Sequence, residues 1–125
     1  MRTTDLAGGL TPSEFSALAV VVRLGPLRTS ALAHAEHLNP TMLSRMLARL
    51  SQAGMVRREG DERDGRVSLV AATENGRRLH QRLRAKRARK LAVAVDQLPE
   101  RERIQVLGAL DGLESLVELL RQKVT

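Results

Sequence analysis

Residues 39–54 set two helix-ending signals around one amphipathic stretch, and this constrains the chain more than any other feature. Asn39 is a favoured N-cap residue, and Pro40 follows at the first helical position, where a missing N–H costs nothing. Leu43, Met46, Leu47 and Leu50 recur at helical spacing and predict a buried stripe. Gly54 supplies the left-handed residue that ends such a helix. The stripe leaves Thr41, Met42, Ser44, Arg45, Ala48 and Arg49 outward. Residues 55–59 and 66–71 then read as paired strands. The charged segment 60–65 between them is too long for a two-residue hairpin and predicts a protruding wing. A polar helix and a basic-tipped hairpin in succession are sized for two adjacent grooves of duplex DNA.

The chain ahead of this segment supports the same arrangement. Thr11, Pro12 and Glu14 form a capping-box pattern, with Phe15, Leu18, Ala19 and Val22 following at helical spacing. Gly25-Pro26 stops that helix, and Leu27-Arg28 adds a short extended segment. Thr29 or Ser30 is the expected cap of a second helix carrying Leu32, Ala33 and Ala35, with His37-Leu38 as the turn. Two helices across such a turn, the second sharply capped, are the helix-turn-helix pattern. Downstream, Thr73 to Gly76 opens a helix to about residue 97, and Pro99-Glu100 starts a last one reaching about residue 122. The expected fold is mostly α with a small β wing. A disordered N-terminus over 1–9 precedes a winged helix-turn-helix lobe over 10–76 and a helical linker and dimerisation region over 77–125.

The net charge of +7 is unevenly distributed. Residues 1–38 balance to zero, residues 39–90 carry fourteen basic and five acidic groups, and residues 91–125 carry a slight acidic excess. The positive field therefore belongs to the middle of the chain, which suits a polyanion. One Phe with no Tyr or Trp argues against stacking on single-stranded bases. The lack of cysteine excludes disulfides and thiolate metal sites. His34, His37 and His80 show no metal-ligand spacing, and no nucleophile elbow, phosphate loop or metalloprotease motif occurs, so no cofactor and no enzymatic activity are expected. No stretch approaches the ~20 apolar residues of a membrane span. A cytoplasmic location is expected.

Roles follow from side-chain chemistry. Thr41 and Ser44 offer hydrogen bonds, and Met42 offers apolar contact to a thymine methyl. Arg45 can grip guanine with two hydrogen bonds, a contact giving about 1–3 kcal/mol of discrimination. Arg49, one turn later, is better placed for phosphate. At the wing tip an arginine can enter the minor groove, where the potential is negative. Arg66 and Arg63 compete for that role, and Asp64 is expected to support one of them through a salt bridge.

Residues 10–83 resemble the MarR family of winged helix-turn-helix transcriptional regulators. The matching pieces are Leu10 to Phe15, Ser30 to Ala33, the helix 39–50, Ala53 to Val56, Arg58, Asp64-Gly65-Arg66 and Thr73 to Gly76. The resemblance implies a homodimer whose third helices enter successive major grooves while wing arginines enter flanking minor grooves. On that basis Ser44, Arg45 and Arg66 inherit DNA contacts and Asp64 the supporting role. Ala72 stands where the family often has leucine. Only nine residues precede Leu10, where the family usually has a long helix that helps form the dimer. Either the chain begins inside a longer protein, or it dimerises without that helix.

Two features remain. Residues 77–90 hold eight basic groups and no acid, which suits contact with the DNA backbone, a helix loosened by like-charge repulsion, or a solvated linker. Ile104, Leu107, Leu110, Leu113, Val117 and Leu120 fall along one stripe of the last helix and predict a two-fold dimer interface. The leading expectation is a sequence-specific dimeric repressor at a near-palindromic operator. A ligand that released it would be small and apolar or amphipathic. The alternatives are a nonspecific DNA-compacting protein and a winged-helix protein-interaction module.

Overall fold

A computed structural model describes residues 9–60, 63 and 65–124, the side chains at 121, 123 and 124 apart. The element order is α1 (Pro12–Leu24), β1 (Leu27–Arg28), α2 (Thr29–Glu36), α3 (Pro40–Gln52), β2 (Val56–Gly60), β3 (Ser68–Ala72), α4 (Glu74–Asp96), α5 (Glu100–Gly108) and α6 (Leu110–Val124). Two compact units divide between Leu83 and Arg84. The expected Asp64 lies outside the described residues.

In the first unit, the starts of α1 and α3 and the exit from α3 fall where local chemistry dictates. At α1 the Thr11 hydroxyl accepts from the Glu14 N–H at 3.1 Å, and the Glu14 carboxylate accepts from the Thr11 N–H at 2.9 Å. Two orphan amides at the start of the helix are thereby satisfied. At α3 the Asn39 side chain accepts from the Met42 N–H at 2.8 Å. Gly54, at φ +77°, turns the chain out of α3 in the left-handed region.

The sheet has three antiparallel strands in the order β1-β3-β2. Val56 pairs with Ala72 and Gly60 with Ser68, so β2 and β3 form the wing's two arms. The segment 27–28, expected only as extended chain, becomes a third strand by pairing Leu27 with Val70 and Arg28 with Leu69. That pairing also corrects the cap of α2. Thr29 and Ser30 do not cap it; Arg28 holds the N-cap position without a side-chain bond. The chain passes straight from strand to helix, leaving no free residue to fold back.

The core joins all these elements. Phe15, Leu18 and Val21 of α1, Leu32 of α2, and Leu43, Leu47 and Leu50 of α3 pack with Val56, Val70, Ala72, Leu79 and Leu83. Met46, expected in the buried stripe, is only partly buried at its edge. Gly76 is buried in the first turns of α4, against the Met55 carbonyl that follows α3. A Cβ there would overlap the carbonyl oxygen.

From Arg84 onward no described side chain is buried, and only Val95, Leu98 and Arg103 are even half-buried. The single last helix expected over 99–122 is two. The Ala109 N–H donates to the Gln105 and Val106 carbonyls at 3.2 and 3.1 Å, tightening the end of α5 before α6 begins. Gly108, whose helix propensity is poor, marks the break.

Two stability outcomes follow from this packing. Gly76→Ala should destabilise the first unit by about 1–3 kcal/mol, read by chemical denaturation, because backbone must move to admit the methyl. Asn39→Ala should cost about 1 kcal/mol and speed amide exchange in the first turn of α3 relative to α1.

Candidate nucleic-acid interface

The candidate surface begins with how α3 is seated. Leu43, Leu47 and Leu50 are 4%, 1% and 1% exposed, which fixes the rotation of the helix about its own axis. With that face committed, Thr41, Met42, Ser44, Arg45, Ala48 and Arg49 are all exposed. The helical repeat puts Thr41, Arg45 and Ala48 along the centre of the free face, with Ser44 on one flank and Met42 and Arg49 on the other. The expected contact residues of α3 are thus brought onto one surface.

Both ends of α3 are anchored. The Asn39 cap holds its N-terminus. At its C-terminus the Thr73 hydroxyl donates to the Gly54 carbonyl at 2.5 Å and accepts from the Gly76 N–H at 3.0 Å. The Thr73 N–H donates to the Met55 carbonyl at 3.1 Å. One threonine therefore ties the exit of α3 to the start of α4. Residue order alone places Thr73 at a helix opening; the second attachment depends on β2 and β3 bringing the two ends together.

The wing is built on Arg58 as much as on its tip. Arg58 donates through Nε and Nη2 to the Ser68 hydroxyl at 3.3 and 3.2 Å, joining β2 to β3 across the arms. Arg57 pairs with Glu59 at 2.9 Å on the same strand. Beyond these, Arg63 and Arg66 are exposed, and Arg66 lies in the turn that leads back into β3. Arg58 also lines a groove of about 250 Å³ with Thr29, Ser30 and Ala33 of α2 and Pro40, Leu43, Ser44 and Leu47 of α3. Ser44 thus stands at the junction of α3 and the wing strand β2.

Arg49 differs from its neighbours. Its Nη1 lies 2.9 Å from Glu14 Oε2, the carboxylate being 5% and the guanidine side chain 64% exposed. Residue order predicts Glu14 in the capping box and Arg49 against phosphate, not their pairing with each other. The one signal for their pairing in residue order is an acid in the first turn of one helix and a base in the last turn of another.

In the second unit, Arg84, Lys86, Arg87, Arg89 and Lys90 are exposed on α4. Ile104, Leu107, Leu110, Leu113, Val117 and Leu120 are 42–61% exposed on α5 and α6, with Leu116 and Leu119 beside them at 52% and 56%. Among the described residues, no group of His, Asp or Glu could hold a metal ion, and no helix is long and apolar enough to cross a membrane.

Residues 10–68 match the MarR family profile. The HTH-type transcriptional regulator Mb0904 of Mycobacterium bovis is 33% identical over 118 residues, covering 94% of this chain and 82% of that protein. YusO of Bacillus subtilis is similar in structure, with 26% identity and a TM-score of 0.74 over 84% of this chain and 74% of its own. FabT of Streptococcus pneumoniae, solved in complex with DNA, shares the fold at 22% identity, with a TM-score of 0.68 over 90% of this chain and 77% of its own. Capped recognition helix, three-stranded wing sheet and relatives agree: the chain belongs to the MarR family of winged helix-turn-helix transcriptional regulators.

Proposed function

We propose that the chain is a dimeric repressor that reads a near-palindromic operator, working by binding rather than by catalysis. The observation that carries this is the free face of α3, which presents Thr41, Ser44 and Arg45 with Met42 as its one large apolar group. A protein-docking helix of this size would show several apolar anchors. A face of hydroxyls and guanidinium suits base edges and phosphates. In this reading Thr41, Met42, Ser44 and Arg45 enter the major groove. Arg66 or Arg63 reaches the adjacent minor groove, with Asp64 in support. The DNA complex of FabT lends the arrangement support by analogy of fold.

The second copy is argued from α5 and α6. Their six-residue stripe stands in water, and the second unit buries none of its described side chains. Covering the exposed half of each such side chain on association would contribute about 1 kcal/mol. An identical stripe on a two-fold mate is the self-complementary partner that symmetric dimers use. Two recognition helices so joined would address half-sites about 34–36 Å apart. The exposed basic run of α4 favours one other reading, nonspecific compaction of DNA, which the same measurement separates.

Titration against a duplex from the protein's own promoter, beside a scrambled duplex, should give a preference of at least about a thousandfold. Arg45→Ala and Arg66→Ala should each weaken operator binding. Loss of the base-reading Arg45 should relax preference at one position by about 1–3 kcal/mol. Equal, salt-sensitive binding to both duplexes would favour compaction instead. For the dimer, Leu113→Asp with Leu120→Asp should shift sedimentation from dimer to monomer while the helix-turn-helix unit keeps its melting transition. A parent protein that sediments as a monomer would refute the assembly.

A further inference from the structure

The ion pair between Glu14 and Arg49 joins the first turn of α1 to the last turn of α3. Each charge sits at the helix end whose dipole it stabilises, the acid at an N-terminus and the base at a C-terminus. Both oxygens of the carboxylate are engaged. Its Oε1 accepts from the Thr11 N–H at 2.9 Å and its Oε2 meets Arg49 Nη1 at 2.9 Å, with only 5% of the side chain exposed. Glu14 is the one buried charged residue among those described. A carboxylate taken out of water in this way is costly to leave without its partner, so Arg49 is held to it.

We infer that Arg49 is a positioning residue for the recognition helix, acting through Glu14 to set how α3 lies against α1, and that its contribution to DNA binding is this tie rather than a phosphate contact. The inference rests on the reading that α3 meets DNA. Arg45 and Thr41 stand one and two turns before Arg49 on the same helix. A tilt at the anchored end therefore displaces the groups that reach base edges. The capping box makes the tie directional: Thr11 fixes the carboxylate to the start of α1, and the carboxylate fixes Arg49. The two roles predict different salt behaviour. A phosphate contact releases counterions and adds to the salt slope, whereas an internal ion pair does not.

The test is operator affinity over a salt series for the parent, Glu14→Gln, Arg49→Gln, Arg49→Lys, the Glu14→Gln/Arg49→Gln double variant and Arg45→Ala. Glutamine at position 14 keeps the capping-box bond while removing the charge, so the start of α1 survives. The expected result is that Glu14→Gln and Arg49→Gln each weaken binding on the order of tenfold, with the double variant no weaker than Arg49→Gln. Their log–log salt slopes should equal the parent's, and Arg49→Lys, which keeps a single N···O pair, should recover most of the loss. A Glu14→Gln variant that binds like the parent overturns the inference. So does an Arg49→Gln variant whose slope is shallower by about 0.9, the signature of one lost phosphate contact. If Glu14→Gln fails to fold, the salt slopes of Arg49→Gln and Arg49→Lys decide alone. An Arg45→Ala variant that binds like the parent refutes the reading of α3 itself. Parent-like binding by Glu14→Gln with weakened Arg45→Ala refutes only the tie.

Discussion

The burial of Leu43, Leu47 and Leu50 is the contact on which the rest depends, because it settles which side of α3 is left for anything else. A short helix with a polar outer face has little stability of its own, and tertiary packing of its apolar stripe supplies most of it. The stripe packs with Leu18 and Val21 of α1, Leu32 of α2 and Val56 and Val70 of the sheet. Rotation of α3 is thereby locked to the same core that holds the wing strands. Helix α3 and the wing keep a fixed relation because they share that core.

Axial position and tilt need further devices, and they are polar. Asn39 holds one end of α3, while Gly54 and the Thr73 hydroxyl hold the other. Glu14 reaches the last turn from the side. None of the buried polar side-chain atoms described lacks a hydrogen-bond partner, so these ties add direction without a desolvation penalty left open. The second unit contrasts with this. Its α5 and α6 expose a broad apolar face and bury none of the described side chains.

Much of the architecture was legible in residue order. The capping box at Thr11, the cap at Asn39, the left-handed Gly54 and the wing strands are local signals, each complete within a few residues. Local signals also misled. Thr29 and Ser30 look like caps, yet pairing of Arg28 with Leu69 places the cap position one residue earlier. The run from Pro99 reads as one helix because Gly108 interrupts propensity without interrupting the apolar period. The break at Ala109 shows only in the hydrogen bonds.

By itself, then, the sequence determined the order of the first four helices and the wing strands, the caps of α1 and α3, the outward residues of α3 and the concentration of positive charge between residues 39 and 90. Periodicity and capping act over one or two helical turns, within reach of a linear reading. Only the tertiary structure decided that residues 27–28 join the sheet, that Thr73 clasps the end of α3, and that Glu14 pairs with Arg49. Those contacts join groups far apart along the chain. Their partners are chosen by which surfaces the shared hydrophobic core brings face to face, and no local pattern of residues records that choice.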